Sequence, residues 1–258
     1  MRHVIVFLTA CMLLGASPSP SPRPALTAFS GTGRLTSQVE FTGKSMGLQA
    51  DVAMWARPGL VRLDLQKMAL SSQDPSQNAL LTQLLPTGGV TALFNLKTQM
   101  MTVWSSQSHS YYTSTLNLLR PKSKPSGKPK PKATPAPNSP MNAFLKGLDS
   151  MTQYDVYSET IELTGHQPVN GHMASVFHFI SKTQKHGGKL ETINGNLALA
   201  DDLSGIPLQL ALDATGSMTG TMKMDLLTFA PSTPALSLFS VPAGYTKAKS
   251  ILDVVMRK

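Results

Sequence analysis

Apolar and polar residues alternate with a period of two along most of this 258-residue chain, the pattern of strands with one buried face. In GRLTSQVEF, Leu35, Ser37, Val39 and Phe41 fall on one side and Arg34, Thr36, Gln38 and Glu40 on the other. LVRLDLQ repeats the alternation, with Val61, Leu63 and Leu65 opposed to Arg62, Asp64 and Gln66. TALFNLKTQMMTVW reads as a hairpin turning near Lys97 and Thr98, and SYYTSTL adds another strand. Further strands are predicted in ETIEL, MASVFHFIS, KLETINGNLAL, IPLQLALDA and TMKMDLLTF, separated by Gly, Asn-Gly and Pro.

Two stretches carry helical spacing instead. In DPSQNALLTQLLP, Asp74 can cap a helix with Pro75 at its first position, and Leu80, Leu81, Leu84 and Leu85 form one stripe. In SPMNAFLKGLDSM, Ser139 and Pro140 play the same parts, and Met141, Phe144, Leu145, Leu148 and Met151 recur at helical spacing. Helices this short need an apolar surface to lie on. About ten meandering strands and two such helices predict a mainly β, α+β fold. It is a curved antiparallel sheet whose concave face the helices cover.

The first 16 residues, a basic start followed by an apolar run from Val4 to Leu14 and small residues at Gly15 and Ala16, read as a secretory signal peptide. Residues 17–28 form a Ser/Pro-rich spacer, and residues 29–258 a single domain. The lone cysteine, Cys11, sits in LTAC, the small-residue pattern of a lipoprotein anchor. The apolar run continues past it as MLLGA, which favours simple removal. A mature chain without thiols has no disulfides, thiolate metal sites or cysteine nucleophiles.

Residues 120–140, RPKSKPSGKPKPKATPAPNSP, interrupt the domain with a Lys/Pro-rich loop whose composition predicts disorder. The loop also changes the meaning of the formal net charge of +9. Once Arg2, Arg23, Arg120, Lys122, Lys124, Lys128, Lys130 and Lys132 are set aside, 15 of the 23 cations face all 14 acids, and the folded part is nearly neutral. With no aromatic residue beside its charges, the loop does not predict nucleic-acid binding. A solvated spacer is the first reading. The second is a weak contact of Lys122, Lys124, Lys128, Lys130 and Lys132 with anionic membrane or wall polymer.

Candidate chemistry is sparse. His3, His109, His166, His172, His178 and His186 form no helical metal pair, and neither a nucleophile elbow, a phosphate loop nor a dinucleotide fingerprint occurs. No catalytic residue, metal or cofactor is predicted. His172 or His178 with the Asp201 and Asp202 pair is the only basis for a hydrolase alternative, and Asp201 and Asp202 read as a turn. Fourteen methionines, Met222 and Met224 among them, supply flexible apolar surface of the kind that accommodates variable acyl chains.

VAMWARPGLVRLDL, from Val52 to Leu65, resembles the strand–RP–strand segment of the periplasmic lipoprotein carrier LolA and its relatives. SLFSVPAGYTK resembles the F-x-V-P-x-G-Y signature of related envelope proteins, and ELTGHQPVNGHMASVF and LALADDLSGIPLQLAL resemble that group's hairpin and strand. The likeness runs from about Gly31 to Lys247. It implies a half-barrel sheet closed by helices that binds acyl chains non-covalently, with Arg57 at the position of the arginine that latches the lid. The chain departs from the carrier where TALFNLKTQMMTVW replaces an aspartate–glycine–aromatic hairpin.

These readings predict an exported, non-enzymatic protein of the periplasm or cell envelope that binds a lipid or lipoprotein acyl chain in a hydrophobic cavity. The candidate cavity residues are Val39, Phe41, Trp55, Val61, Leu63, Leu65, Leu208, Leu210, Leu212, Met222 and Met224. The alternative is a structural or adhesive envelope protein with a solid core whose basic loop makes the contacts.

Overall fold

Among the described residues the alternating segments form twelve strands joined in one open sheet. A computed structural model describes residues 28–41, 44–72, 88–115, 154–185, 190–203, 206–215 and 219–255. The predicted signal peptide, the spacer up to residue 27, both predicted helices and the Lys/Pro loop lie outside the described residues. The strands are β1 (Phe29–Phe41), β2 (Lys44–Arg57), β3 (Leu60–Ser72), β4 (Val90–Asn95), β5 (Met100–Ser105) and β6 (Ser110–Thr115). They continue as β7 (Tyr154–Val169), β8 (His172–Lys185), β9 (Leu190–Ala200), β10 (Pro207–Thr215), β11 (Thr219–Pro231) and β12 (Thr246–Lys247). A 3₁₀ turn at Leu236–Phe239 and a short helix, α1 (Ile251–Val255), complete the described elements.

The spatial order is β12-β6-β5-β4-β3-β2-β1-β11-β10-β9-β8-β7. Each pair is antiparallel except β12 with β6, which is parallel. Within this order two meanders, β1 to β6 and β7 to β11, meet at the β1–β11 pair. The count exceeds the ten strands expected, partly because the inward positions of β2 include Ala50 and Ala56, whose small side chains make weak alternation. Among the described residues no helix is long and apolar enough to cross a membrane.

The inward residues of β1 to β5 and β8 to β11 belong to one buried apolar cluster, which includes Phe29, Leu35, Met54, Leu63, Phe94, Met101, Ile193 and Leu197. A single sheet gathers that many side chains by curling around them, and bulges supply the bends. One bulge lies between β1 and β11, where Gly33 pairs with Leu226 and Thr32 with Thr228, skipping Leu227. Gly33 is required there: a Cβ would stand 2.1 Å from the Asp225 carbonyl oxygen. Another bulge lies between Pro207 and Gln209, against Leu199 and Ala198 of β9.

After β11 the chain runs back over the outer face. Phe239 of the 3₁₀ turn packs with Leu93 and Trp104, flanked by Trp55, Tyr111 and Tyr245. Thr246 and Lys247 then pair with the β6 edge, and α1 turns inward so that Ile251, Val254 and Val255 join the inner cluster.

Candidate functional site

The registers turn the inner face into rows of side chains that cross the strands. One row is Leu163, Phe177, Leu197, Leu210, Met224, Leu35 and Ala50, spanning β7, β8, β9, β10, β11, β1 and β2. Six strand spacings make it about 29 Å along the sheet. It is apolar throughout, and it passes from solvent into the core: Leu163 is 53% exposed, Phe177 half-buried, Leu197 1% and Leu210 0% exposed. The neighbouring row is Ile161, Phe179, Gly195, Leu212, Met222, Ser37, Leu48 and Leu70. Gly195 makes room in it for the Phe179 ring, whose Cζ lies 2.3 Å from where a Cβ would stand. The buried Ser37 hydroxyl is satisfied by donating to the Thr221 carbonyl at 3.1 Å.

Of the residues singled out by sequence, Val61, Leu63, Leu65, Leu210, Leu212, Met222 and Met224 all lie in this inner cluster. Val39 is half-buried at the end of β1, and the Phe41 side chain lies outside the described residues. Trp55 is on the opposite face, with Leu93, Trp104 and Phe239. Leu208, displaced by the bulge before Gln209, packs with Val169, Ala174, Ala198 and Ala200 in a separate cluster. Met54, Phe94, Met101, Phe179 and Ile193 also lie in the inner cluster, although none is among the cavity residues expected from the sequence. Sequence reasoning passed over α1, although Ser250 and Asp253 have the spacing of a helix cap and Ile251, Val254 and Val255 recur at i, i+3 and i+4.

Two arginines fasten the C-terminal segment to the outer face. Arg57 donates from Nη1 to the Pro234 carbonyl at 2.8 Å. Arg62 donates to the Leu238 carbonyl at 2.8 Å and forms a two-pronged pair with Asp64 at 2.8 and 2.7 Å. Its guanidinium also lies 5.2 Å from the Trp55 ring centre and 5.4 Å from that of Trp104. The partner of Arg57 among the described residues is thus the strand-to-turn segment after β11; the predicted lid helices lie outside them.

The Asp201–Asp202 turn is gripped by the β7–β8 hairpin. His166 Nδ1 stands 2.9 Å from Asp201 Oδ2, and His172 Nδ1 2.7 Å from Asp202 Oδ2. The Ser175 hydroxyl and backbone N–H both donate to Asp201 Oδ1. At the hairpin tip Asn170 donates to the Leu226 carbonyl at 2.7 Å, and the His172 ring meets the Phe229 ring edge-on. Ser175 and Asp201 approach the same nitrogen of His166, Nδ1, at 3.3 and 2.9 Å, whereas a nucleophile–base–acid relay uses one imidazole nitrogen for each partner. The arrangement works as a clasp. His178 sits elsewhere, 3.0 Å from Asn196 Oδ1. Among the described residues no three His, Cys, Asp or Glu side chains converge as metal ligands.

The Ser175 hydroxyl, and after it His166, hold the Asp201 carboxyl below its ordinary range. A lowered folded-state value stabilises the fold above the unfolded value of about 3.9, and that contribution disappears as pH falls through the folded value. Asp201→Asn should therefore lower the thermal midpoint at pH 7, with the gap to the parent chain narrowing as pH falls below the unfolded carboxylate range. Thermal unfolding across that range reads the effect.

An open recess of about 600 Å³ lies on the outer face. Its lining includes the outward row Ser71, Gly47, Gln38, Thr221 and Asp213 and the adjacent Gln49, Thr36, Lys223 and Ala211. The Leu48, Ser37, Met222 and Leu212 positions between these rows contribute to its floor. A twisted sheet is saddle-shaped, so its outer side is itself concave along one diagonal. Hydroxyl, amide and charged side chains share this lining with apolar atoms, Leu212 and Met222 of the inner cluster among them.

No protein-family model and no curated protein matches the chain. Among solved structures it is similar to a LolA superfamily protein from Nitrosomonas europaea, with 7% identity over 82% of this chain and 90% of that one and a TM-score of 0.33. A DUF1329 family protein from Desulfovibrio piger is matched at 9% identity over 93% of this chain and 97% of that one, with a TM-score of 0.20. A domain bearing the name outer membrane lipoprotein-sorting protein, from Vibrio parahaemolyticus, is matched at 8% identity over 90% and 92%, with a TM-score of 0.17. The first and third of these carry the names of the group that the sequence segments resemble. At such identities and TM-scores they say nothing of a ligand, so function rests on the inner face itself.

Proposed function

We propose that the protein is a non-enzymatic envelope protein that holds an acyl chain of a lipid or lipoprotein against the inner face of its sheet. The observation that carries this is the apolar row from Leu163 to Ala50, which begins exposed at the open β7 edge and ends in the core. A long, one-sided apolar track with a solvent-exposed entrance suits an extended hydrocarbon, and its methionine and leucine side chains adapt to different chains. The signal-peptide pattern and the likeness of the Val52–Leu65 and Phe239–Tyr245 segments to envelope proteins support export to the periplasm or cell envelope.

Leu163 is exposed, so Leu163→Glu leaves the core intact while placing a charge at the entrance. The purified variant should bind a fluorescent long-chain fatty acid about tenfold more weakly than the parent, the ratio expected when about 1.4 kcal/mol of apolar contact is lost. Equal affinities, read by titration and competition with unlabelled fatty acid, would remove β7 as the entrance.

A further inference from the structure

We infer that α1 is a displaceable plug: it occupies the β4–β6 end of the inner face and sets how far an acyl chain can extend across it. The inference rests on the acyl-chain function proposed above. Ile251, Val254 and Val255 lie along one side of α1 and are 3%, 0% and 2% exposed, in the cluster that also holds Phe94, Met101 and Val103. These last three are inward residues of β4 and β5, on the same face as the apolar track but at the end away from β7.

A five-residue helix does not persist in water, so α1 depends on what holds it. Its start is closed by a reciprocal cap: Asp253 Oδ2 accepts from the Ser250 N–H and hydroxyl, both at 3.0 Å, and Ser250 Oγ faces the Asp253 N–H at 3.3 Å. Its end is fixed where the Ser108 hydroxyl donates to the Val254 carbonyl at 3.1 Å. Behind it the chain is held to β6 by the Thr246–Lys247 pairing and by the Ala248 N–H on the Tyr111 carbonyl at 2.7 Å.

The two ends of the sheet are therefore unequal. At β7 the inner face opens to solvent through Leu163, whereas beyond β6 the chain rounds the edge and fills the inner face with its own apolar side chains. The plug is bound by a few polar contacts and three aliphatic side chains, so a hydrocarbon can replace it chemically like for like.

The test uses a long-chain fatty acid carrying a diazirine at its methyl end, incubated with the mature chain and with the same chain ending at Lys249. After irradiation, adducts are mapped by peptide mass spectrometry. In the mature chain adducts should fall on β7 to β11, and in the shortened chain labelling of Phe94, Met101 and Val103 should rise at least tenfold, the ratio set by about 1.4 kcal/mol, which is no more than one of the three buried aliphatic side chains contributes. Equal labelling of those three residues in both chains, whether high or absent beside labelling elsewhere, overturns the plug and leaves the acyl-chain function standing. No adduct anywhere in either chain removes that function and the plug with it. Should circular dichroism show the shortened chain unfolded, Asp253→Ala in the mature chain weakens only the cap. It should raise the same labelling about fivefold, the population shift for loss of a helix cap, and no rise overturns the plug.

Discussion

Replacing Phe94 by alanine is expected to destabilise the protein by about 4 kcal/mol. Phe94 is 0% exposed on β4, paired with Val61 of β3 and Met101 of β5, within the cluster that α1 joins. A fully packed site loses both the transfer energy of the ring and the contacts of the walls left around the hole, since tightly packed neighbours relax only partly. The size of the loss reports on the plug. With Ile251, Val254 and Val255 packed into this end of the sheet, the full cost should be measured by urea unfolding. A cost under about 2 kcal/mol would mean that Phe94 already borders empty or solvated space.

Arg62→Ala should cost about 3 kcal/mol, the second large effect, and should do so from the opposite face. The substitution removes the paired bonds to Asp64, the bond to the Leu238 carbonyl and the guanidinium seated between Trp55 and Trp104. It also leaves the largely buried Asp64 carboxylate without its cation, and that orphaning is the larger part of the penalty. Arg57→Ala, which loses one bond to the Pro234 carbonyl, should cost about 1 kcal/mol in the same assay. Because Arg62 anchors the segment leading to β12 and α1, its loss should also raise amide exchange in residues 246–255 more than in β9 and β10. Uniform exchange across the sheet would mean that the arginine supports the whole fold and not this segment.

The strands were legible wherever one face meets water. Val61, Leu63 and Leu65 alternate with Arg62, Asp64 and Gln66, and the structure places the first three in the core and the others outward. The β4–β5 hairpin turns where the sequence suggested, between Asn95 and Met100, with Gln99 in the left-handed region. Its faces were harder to read because Leu93 and Trp104 are buried on the outer side while Phe94 and Met101 are buried on the inner one. That double burial is created by the C-terminal segment, which is remote in sequence, and periodicity carries no record of it.

Bulges hid the rest of the site. Strand parity groups Leu208 with Leu210 and Leu212, but the extra residue before Gln209 sends Leu208 to the cluster with Ala198 and Ala200. Trp55 keeps its parity and is outward for that reason; its apolar character answers to Phe239, not to the inner face. Arg57 was marked through resemblance alone, and its bond to Pro234 joins residues 177 positions apart. The His166–Asp201 and His172–Asp202 pairs likewise depend on the β7–β8 and β9–β10 hairpins lying side by side, which single-sequence spacing does not encode.

The central claim is that the inner face holds a hydrocarbon chain, and the most direct measurement is of the protein as a bacterium makes it. The mature chain would be exported in a heterologous host, purified without detergent and examined by native mass spectrometry, followed by organic extraction of whatever it carries. A discrete adduct of lipid mass, released by denaturation and identified in the extract, is the predicted result. A single apo mass, with no uptake of added fatty acid, would contradict it and leave a solid-core structural protein, with the lysine loop at residues 120–140 as the segment to delete next.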